Sequence, residues 1–394
     1  MVAAKSIWRF AADSLIAGIG FIFAAVAIIA VFLAKPSEAQ APQWKGTITK
    51  VGEVVVVRNP REPIYREPII TLKEDWSIGG EKAQGEYAIA FPYGLAIDGD
   101  GCIYVYELRE SRIKVFDSEG RFLRSFGRKG QGPEDIGFTT ALFIAGDAKE
   151  IAFPDFGNRR FSFFSFDGKL LRSVPVRGRG FSRAAIDSKG AIYLYEINPG
   201  SPDSLKKMDP ACETVLTEIF SHPQDESRNP FAPRDLWTLD YKDRLFYGNA
   251  RTYEIRIFNP DGGLSRRIVR EHEGLEVTKK DIDEFESRKT PPGINPVYNY
   301  SSHHAAFRSF FVDDEGHLFV QTWERTSDNR QDVHDVFDAE GRFLGRVSLP
   351  RHADLINPKV RILKKGKFYA IEPDPDGYEV LKRYSVTWIK GQTP

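Results

Sequence analysis

Residues 91–127 read FPYGLAIDGDGCIYVYELRESRIKVFDSEGRFLRSFG. Four apolar runs rich in Ile, Val, Tyr and Phe are divided by an Asp-x-x-Gly turn at Asp98, a polar break before Arg112, and a second Asp-x-x-Gly turn at Asp117. An Asp that opens a turn accepts hydrogen bonds from its own backbone two residues on, and Gly takes the positive φ that closes the turn. The runs between are strand formers. Four strands with three tight connections make one small antiparallel sheet. Such a sheet has two faces to cover, so it must stack against others like it.

The same unit recurs along the chain. It is visible in FSFFSFDGKLLRSV at 161–174, FSRAAIDSKGAIYLY at 181–195 and IRIFNPDGGLSRRI at 255–268. It returns in FFVDDEGHLFV at 310–320 and VFDAEGRFLGRV at 336–347. The turns between first and second strands fall at Asp98, Asp147, Asp187, Asp240 and Asp313, with a degenerate sixth at Lys364–Lys367. Six units predict an all-β six-bladed β-propeller of four-stranded antiparallel blades over residues 46–390. The widest gap, Asp240 to Asp313, holds an insertion at about 270–300. An early run, GEVVVVRNP at 52–60, has no unit of its own and is expected to complete the last sheet and lock the ring.

The glycine-rich stretch FLRSFGRKGQGPEDIG at 122–137 follows the first unit. A phosphate loop would need GxxxxGK[ST], or GxGxxG between a parallel strand and a helix. Neither context is present. Gly127, Gly130 and Gly132 therefore read as a blade-to-blade connection, and Arg124, Arg128 and Lys129 as solvated charges.

Leu15 to Ala34 is a run of twenty residues without a charge. As a helix it would be about 30 Å long, the thickness of a bilayer's hydrocarbon core. Lys5 and Arg9 precede it and favour a cytoplasmic residue 1–14 segment. The expected order is a transmembrane anchor at 15–34, a linker at 35–45, then the propeller outside the cytoplasm. The rival reading is a signal peptide cleaved near Ala39 and a secreted chain. Lys plus Arg equals Asp plus Glu at 55 each, so no basic excess points to nucleic acid. The two cysteines, Cys102 and Cys212, lie outside any CxxC pair and read as free thiols.

The repeat FPYGLAIDGDGCIYVYELRESRIKVFDSEGRFLRSFG, followed by GRKGQGP, resembles the bacterial six-bladed β-propeller family related to NHL repeats. VVRNPREPIYREPIITLKEDWSIGGE and YEIRIFNPDG are similar to it as well. Many such repeats read YVxDxxNxRI, whereas this chain has YVYELRESRI, with Glu107 and Glu110 in place of Asp and Asn. FPDFGNRRF at 153–161 is nearer the pattern. The resemblance implies architecture and an envelope location (inner-membrane anchored, with the propeller in the periplasm or outside the cell) and almost no chemistry. The corresponding role is a binding or scaffold module for a protein, peptide or glycan, with no cofactor.

The turns place Arg183, Asp235, Arg308 and Arg361 just before or at the start of the innermost strands. Three arginines at one channel mouth suit a carboxylate, sulfate or phosphate. Equally, they can pair with acids such as Asp235. Related propeller lyases and lactonases hold metal in the channel, so the alternative is a metal-dependent lyase or lactone hydrolase, with calcium or zinc on His303, His304 and Asp235. Ser301 and Ser302 precede that histidine pair, but no GxSxG is present. In the insertion, Thr278 with Asp281 three residues later forms a helix start. That helix is either a lid over one propeller face or a surface excursion. EPDPDG at 372–377 reads as a hairpin turn.

Overall fold

A computed structural model of the chain describes residues 43–145, 149–178, 180–224, 229–287, 297–328, 330–351, 361–374 and 376–389. The expected anchor at 15–34, the cleavage site near Ala39 and the turn at Asp147 lie outside them. Among the described residues no helix is long and apolar enough to cross a membrane. The compact unit that carries the propeller begins at Trp44.

Three strands precede the repeats: β1 (Thr47–Val51), β2 (Val54–Asn59) and β3 (Ile70–Gly79). Blade I comprises β4 (Pro92–Ile97), β5 (Ile103–Glu107), β6 (Arg112–Phe116) and β7 (Phe122–Phe126). Blade II comprises β8 (Phe143–Ala145), β9 (Glu150–Asp155), β10 (Arg160–Ser165) and β11 (Leu170–Pro175). Blade III is β12 (Phe181–Ile186), β13 (Ile192–Glu196), β14 (Asp203–Met208) and β15 (Val215–His222). Blade IV is β16 (Leu236–Leu239), β17 (Leu245–Gly248), β18 (Glu254–Phe258) and β19 (Leu264–Arg270). Blade V is β20 (Ser309–Val312), β21 (Leu318–Arg325), β22 (Gln331–Phe337) and β23 (Phe343–Pro350). Blade VI takes β24 (Arg361–Lys364), β25 (Lys367–Pro373) and β26 (Glu379–Trp388) from the end of the chain. Within each blade the strands pair in sequence order, and all pairs are antiparallel.

The expected turn chemistry is present atom by atom. Asp98 Oδ1 accepts from the backbone N–H of Asp100 at 2.9 Å and of Cys102 at 2.8 Å. Asp187, Asp240 and Asp313 repeat the pair. Asp117 and Asp338 do the same between third and fourth strands, and Asp374 closes the predicted hairpin. Glu107, the departure from the family pattern, accepts from the N–H of Phe91 and of Glu110. In blade II Asp155 bonds Gly137, Phe138 and Asn158 in the same way.

The core is divided among the blade junctions. Among the described residues there are six clusters of buried apolar side chains, one for each pair of adjacent blades. Between blades IV and V, for example, Ile255, Ile257 and Ile268 meet Phe307, Phe337 and Phe343. Each sheet covers both faces by stacking, which is why a single blade cannot stand alone.

Ring closure differs from the expectation. The strand that completes blade VI is β3, which pairs with β26 from Ile70↔Trp388 to Gly79↔Val380. The run at 54–59 instead lies parallel to β19, with Val57 opposite Ile268, and β1 folds back on it. Blade IV is therefore six-stranded. The valines of β2 mark a strand without marking its neighbour. The buried Asn59 supplies the lock: its amide donates to Gly341 O and Val269 O, and its oxygen accepts from Phe343 N and Trp44 Nε1. The chain then bonds along blade V through Ile64 and Tyr65 before reaching β3.

The glycine-rich segment does join blades I and II. Asp135 organises it, accepting from Gly132 N at 2.8 Å and pairing with Arg128 at 2.7 Å. Arg124 donates to Phe166 O of blade II. Arg124 is thus engaged with the next blade, contrary to its reading as a solvated charge, whereas Arg128, though paired with Asp135, keeps its side chain exposed. A helix, α1 (Lys279–Glu286), occupies the insertion with Thr278 and Asp281 in a reciprocal capping box. The proline-bearing run at 291–296 lies outside the described residues.

Candidate functional site

The described Asp-led turns after the first strands, at Asp98, Asp187, Asp240 and Asp313, lie on one face of the ring, the lower face. The opposite, upper face carries the blade-to-blade connections and the starts of the inner strands. The four expected mouth residues are there: Arg183 on β12, Asp235 before β16, Arg308 before β20 and Arg361 opening β24. They form two groups.

In the first, Arg183 donates to Asp235 O at 2.5 Å and stands over the rings of Tyr195 and Trp237. Burial pushes its pKa down. The Asp235 carboxylate accepts from Tyr247 Oη at 2.7 Å and Tyr195 Oη at 3.2 Å. Both phenols titrate above their ordinary range, through burial first and the adjacent carboxylate second.

In the second, Arg308 and Arg361 converge on Asp332 of β22. Arg361 Nη2 donates to Asp332 Oδ2 at 3.1 Å and to Pro350 O at 2.8 Å. Arg308 Nη1 stops 3.7 Å from Asp332 Oδ1, beyond hydrogen-bond reach. The two side chains are only 8% and 7% exposed. Arg308 Nη1, Arg361 Nε and Asp332 Oδ1 are buried without a hydrogen-bond partner among the described residues. Burial pushes the Arg308 pKa down to about 10, and Arg325, Arg351 and Arg361 add to the fall while Asp332 opposes it. His334 completes the group. Its Nδ1 donates to Asp332 O at 3.0 Å and its Nε2 accepts from Arg361 Nη1 at 3.1 Å, which fixes a neutral tautomer. Full burial, reinforced by Arg361, holds its pKa well below the ordinary value.

The metal set does not assemble. His304 Nε2 donates to Asp281 Oδ2 of α1 at 3.3 Å and its ring stacks on Trp323, while His303 bonds Ser302. Asp235 is committed to tyrosines. Among the described residues no three His, Cys, Asp or Glu groups are placed to hold a metal ion.

Asp332, His334 and Gln321 were missed by the sequence reading, as were Glu284, Arg325 and Arg351. QTWER on β21 and QDVHD on β22 carry the signal. They gather polar residues at one end of strands whose other end is apolar, and Gln321 lies opposite His334 with Arg325 opposite Asp332. Beside the mouth a cavity of ≈ 170 Å³ is lined by Arg270, His272, Trp323, Glu324 and Arg346. There Asp335 receives Tyr253 Oη at 2.6 Å, Arg270 at 3.1 Å and Arg346 at 3.0 Å.

Comparison with known proteins supports the architecture. A family model described as a 6-bladed beta-propeller matches residues 95–178. No curated protein matches the chain. The structure of a member of the duf4221 family from Bacteroides vulgatus is 12% identical, with a TM-score of 0.55, covering 82% of this chain and 100% of that one. A Bacteroides fragilis protein described as exported is 13% identical, with a TM-score of 0.52, covering 85% of this chain and 100% of that one. Virginiamycin B lyase from Staphylococcus aureus is 11% identical, covers 81% of this chain and 100% of that one, and at a TM-score of 0.45 carries no argument about chemistry. With the family similarity confined to blades I and II and six sheets in the ring, the resemblance read from the repeats is borne out at the level of architecture: this chain is a six-bladed β-propeller.

Proposed function

We propose that the chain is an extracytoplasmic binding propeller that takes an anionic group of a protein, peptide or glycan at its upper mouth, tethered to the membrane through residues 15–34. The observation that carries this reading is the pair Arg308 and Arg361, buried beside one carboxylate with guanidinium nitrogens still unbonded. A buried cation with spare donors gains most from an incoming anion. The exported description of the Bacteroides fragilis neighbour supports the location. A channel lyase is the weaker reading, because His303, His304 and Asp235 are each engaged elsewhere.

The test is thermal unfolding of the full-length protein in mild detergent, with citrate against chloride at equal ionic strength. Citrate should raise the midpoint in the parent, since a ligand that binds the folded state stabilises it by mass action. Arg308→Ala should abolish the citrate response. An equal response in both proteins would refute the reading.

A further inference from the structure

The face above the mouth already holds a carboxylate. Glu284 on α1 accepts from Arg325 Nη1 at 2.6 Å through one oxygen and from Arg351 Nη2 at 2.5 Å through the other. The arginines come from different parts of the scaffold. Arg325 ends β21, and Arg351 follows β23 at the start of the connection to blade VI. Their backbones are therefore fixed by the sheet of blade V, independently of the helix.

The helix has no such support. None of its eight residues is buried, and an isolated helix of this length does not persist in water. Its contacts include the Glu284 pair, Asp281 on His304, Phe285 against Phe231 and Tyr298 with ring centres 6.1 and 4.9 Å away, Glu286 accepting from Tyr300 Oη, and its capping box. Beneath it Arg308, Arg325, Arg351 and Arg361 share one field; Asp332 pairs with Arg308 and Arg361, and Glu284 with Arg325 and Arg351. Withdrawing Glu284 takes from Arg325 and Arg351 the carboxylate they share.

We propose that Arg325 and Arg351 form a receptor site for a carboxylate of an acidic protein segment, which Glu284 fills from within until that segment displaces α1. This rests on the binding role argued above for the same face. The native occupant sets the chemistry: a planar carboxylate whose two oxygens are divided between two arginines. A segment with several acids can replace the contacts of α1 together, which a single small anion cannot.

The probe is a hexaglutamate peptide blocked at both ends, titrated by calorimetry into the full-length protein in mild detergent. Glu284→Gln should bind it about ten-fold more tightly than the parent, a difference of about 1.4 kcal/mol. The gain should vanish when Arg351→Gln is added. Displacement of α1 is read separately by trypsin at Lys279 and Lys280, which are exposed. The peptide should speed that cleavage in the parent, and sulfate should not. Equal affinity in Glu284→Gln and parent would overturn the inference, as would sulfate releasing α1 as well as the peptide does. Peptide binding that Arg308→Ala abolishes but Arg351→Gln leaves intact would also overturn it, while leaving the mouth reading in place.

Discussion

Asp332→Asn is the sharpest test of the mouth's electrostatics. It removes the one carboxylate that Arg308 and Arg361 share and leaves volume and shape nearly unchanged. Asparagine can still accept from Arg361 or meet Gln321 Nε2, which now bonds Asp332 at 2.8 Å. Arg361 also retains Pro350 O. The hydrogen-bond share of the loss is therefore small. The charge share is not: attraction across the 3.7 Å gap to Arg308 amounts to about 4 kcal/mol at an effective dielectric of about 20. Removing one partner of a buried pair costs about 3–5 kcal/mol, because the remaining charge stays buried uncompensated. We expect Asp332→Asn to lose that much in urea unfolding followed by tryptophan fluorescence, with an unchanged denaturant slope. In an Arg361→Met background the loss should shrink, since one of the two stranded cations is gone. A loss below about 1 kcal/mol in the single variant would refute the reasoning, showing that the two guanidiniums do not depend on this carboxylate.

Four further outcomes follow. His334 has a folded pKa far below its ordinary value of 6.5, so the unfolded chain binds more protons. Its contribution is intact above about pH 6.5 and is lost as pH falls, and His334→Gln should flatten the acid side of the stability profile. His317 acts oppositely: burial disfavours its charge, yet the bonded Asp313 outweighs burial and raises its pKa. Its contribution is full below pH 6.5 and fades as pH rises through the raised value, so His317→Gln should narrow the loss on the alkaline side. Gly137→Ala places a Cβ 2.8 Å from Gly157 Cα, whereas Gly99→Ala meets nothing within 4 Å. The first should cost about 1–3 kcal/mol of overpacking and the second little, as read by chemical denaturation. Mass spectrometry of the mature protein should find Leu15–Ala34 retained, and an N-terminus at Gln40 would reject the anchor.

The sequence revealed what is local and repeated. Asp98, Asp187, Asp240 and Asp313 each build a turn from their own backbone, so the motif and the structure are the same few residues. Thr278 and Asp281 are legible for the same reason. The mouth was half legible. Counting from the turns places Arg183, Asp235, Arg308 and Arg361 at one end of the inner strands, but their partners lie on second and third strands. Asp332 is found only once the register of β21 on β22 is known. Closure was misread because the valines of β2 and the more polar residues of β3 both suit an outer strand. The choice between them was made by contacts remote in sequence, above all Asn59 with Gly341 and Phe343.

The order in which the N-terminal strands meet the ring has a mechanical consequence. Tension applied to the chain ahead of Trp44 does not fall first on β3, the strand that holds blade VI to the ring. It meets β1 and β2, added outside the four strands of blade IV, and then the Asn59 lock. Those two strands can peel away while every blade keeps its four strands. For a pull from that side the hairpin would act as a sacrificial link, giving way while the ring stays shut.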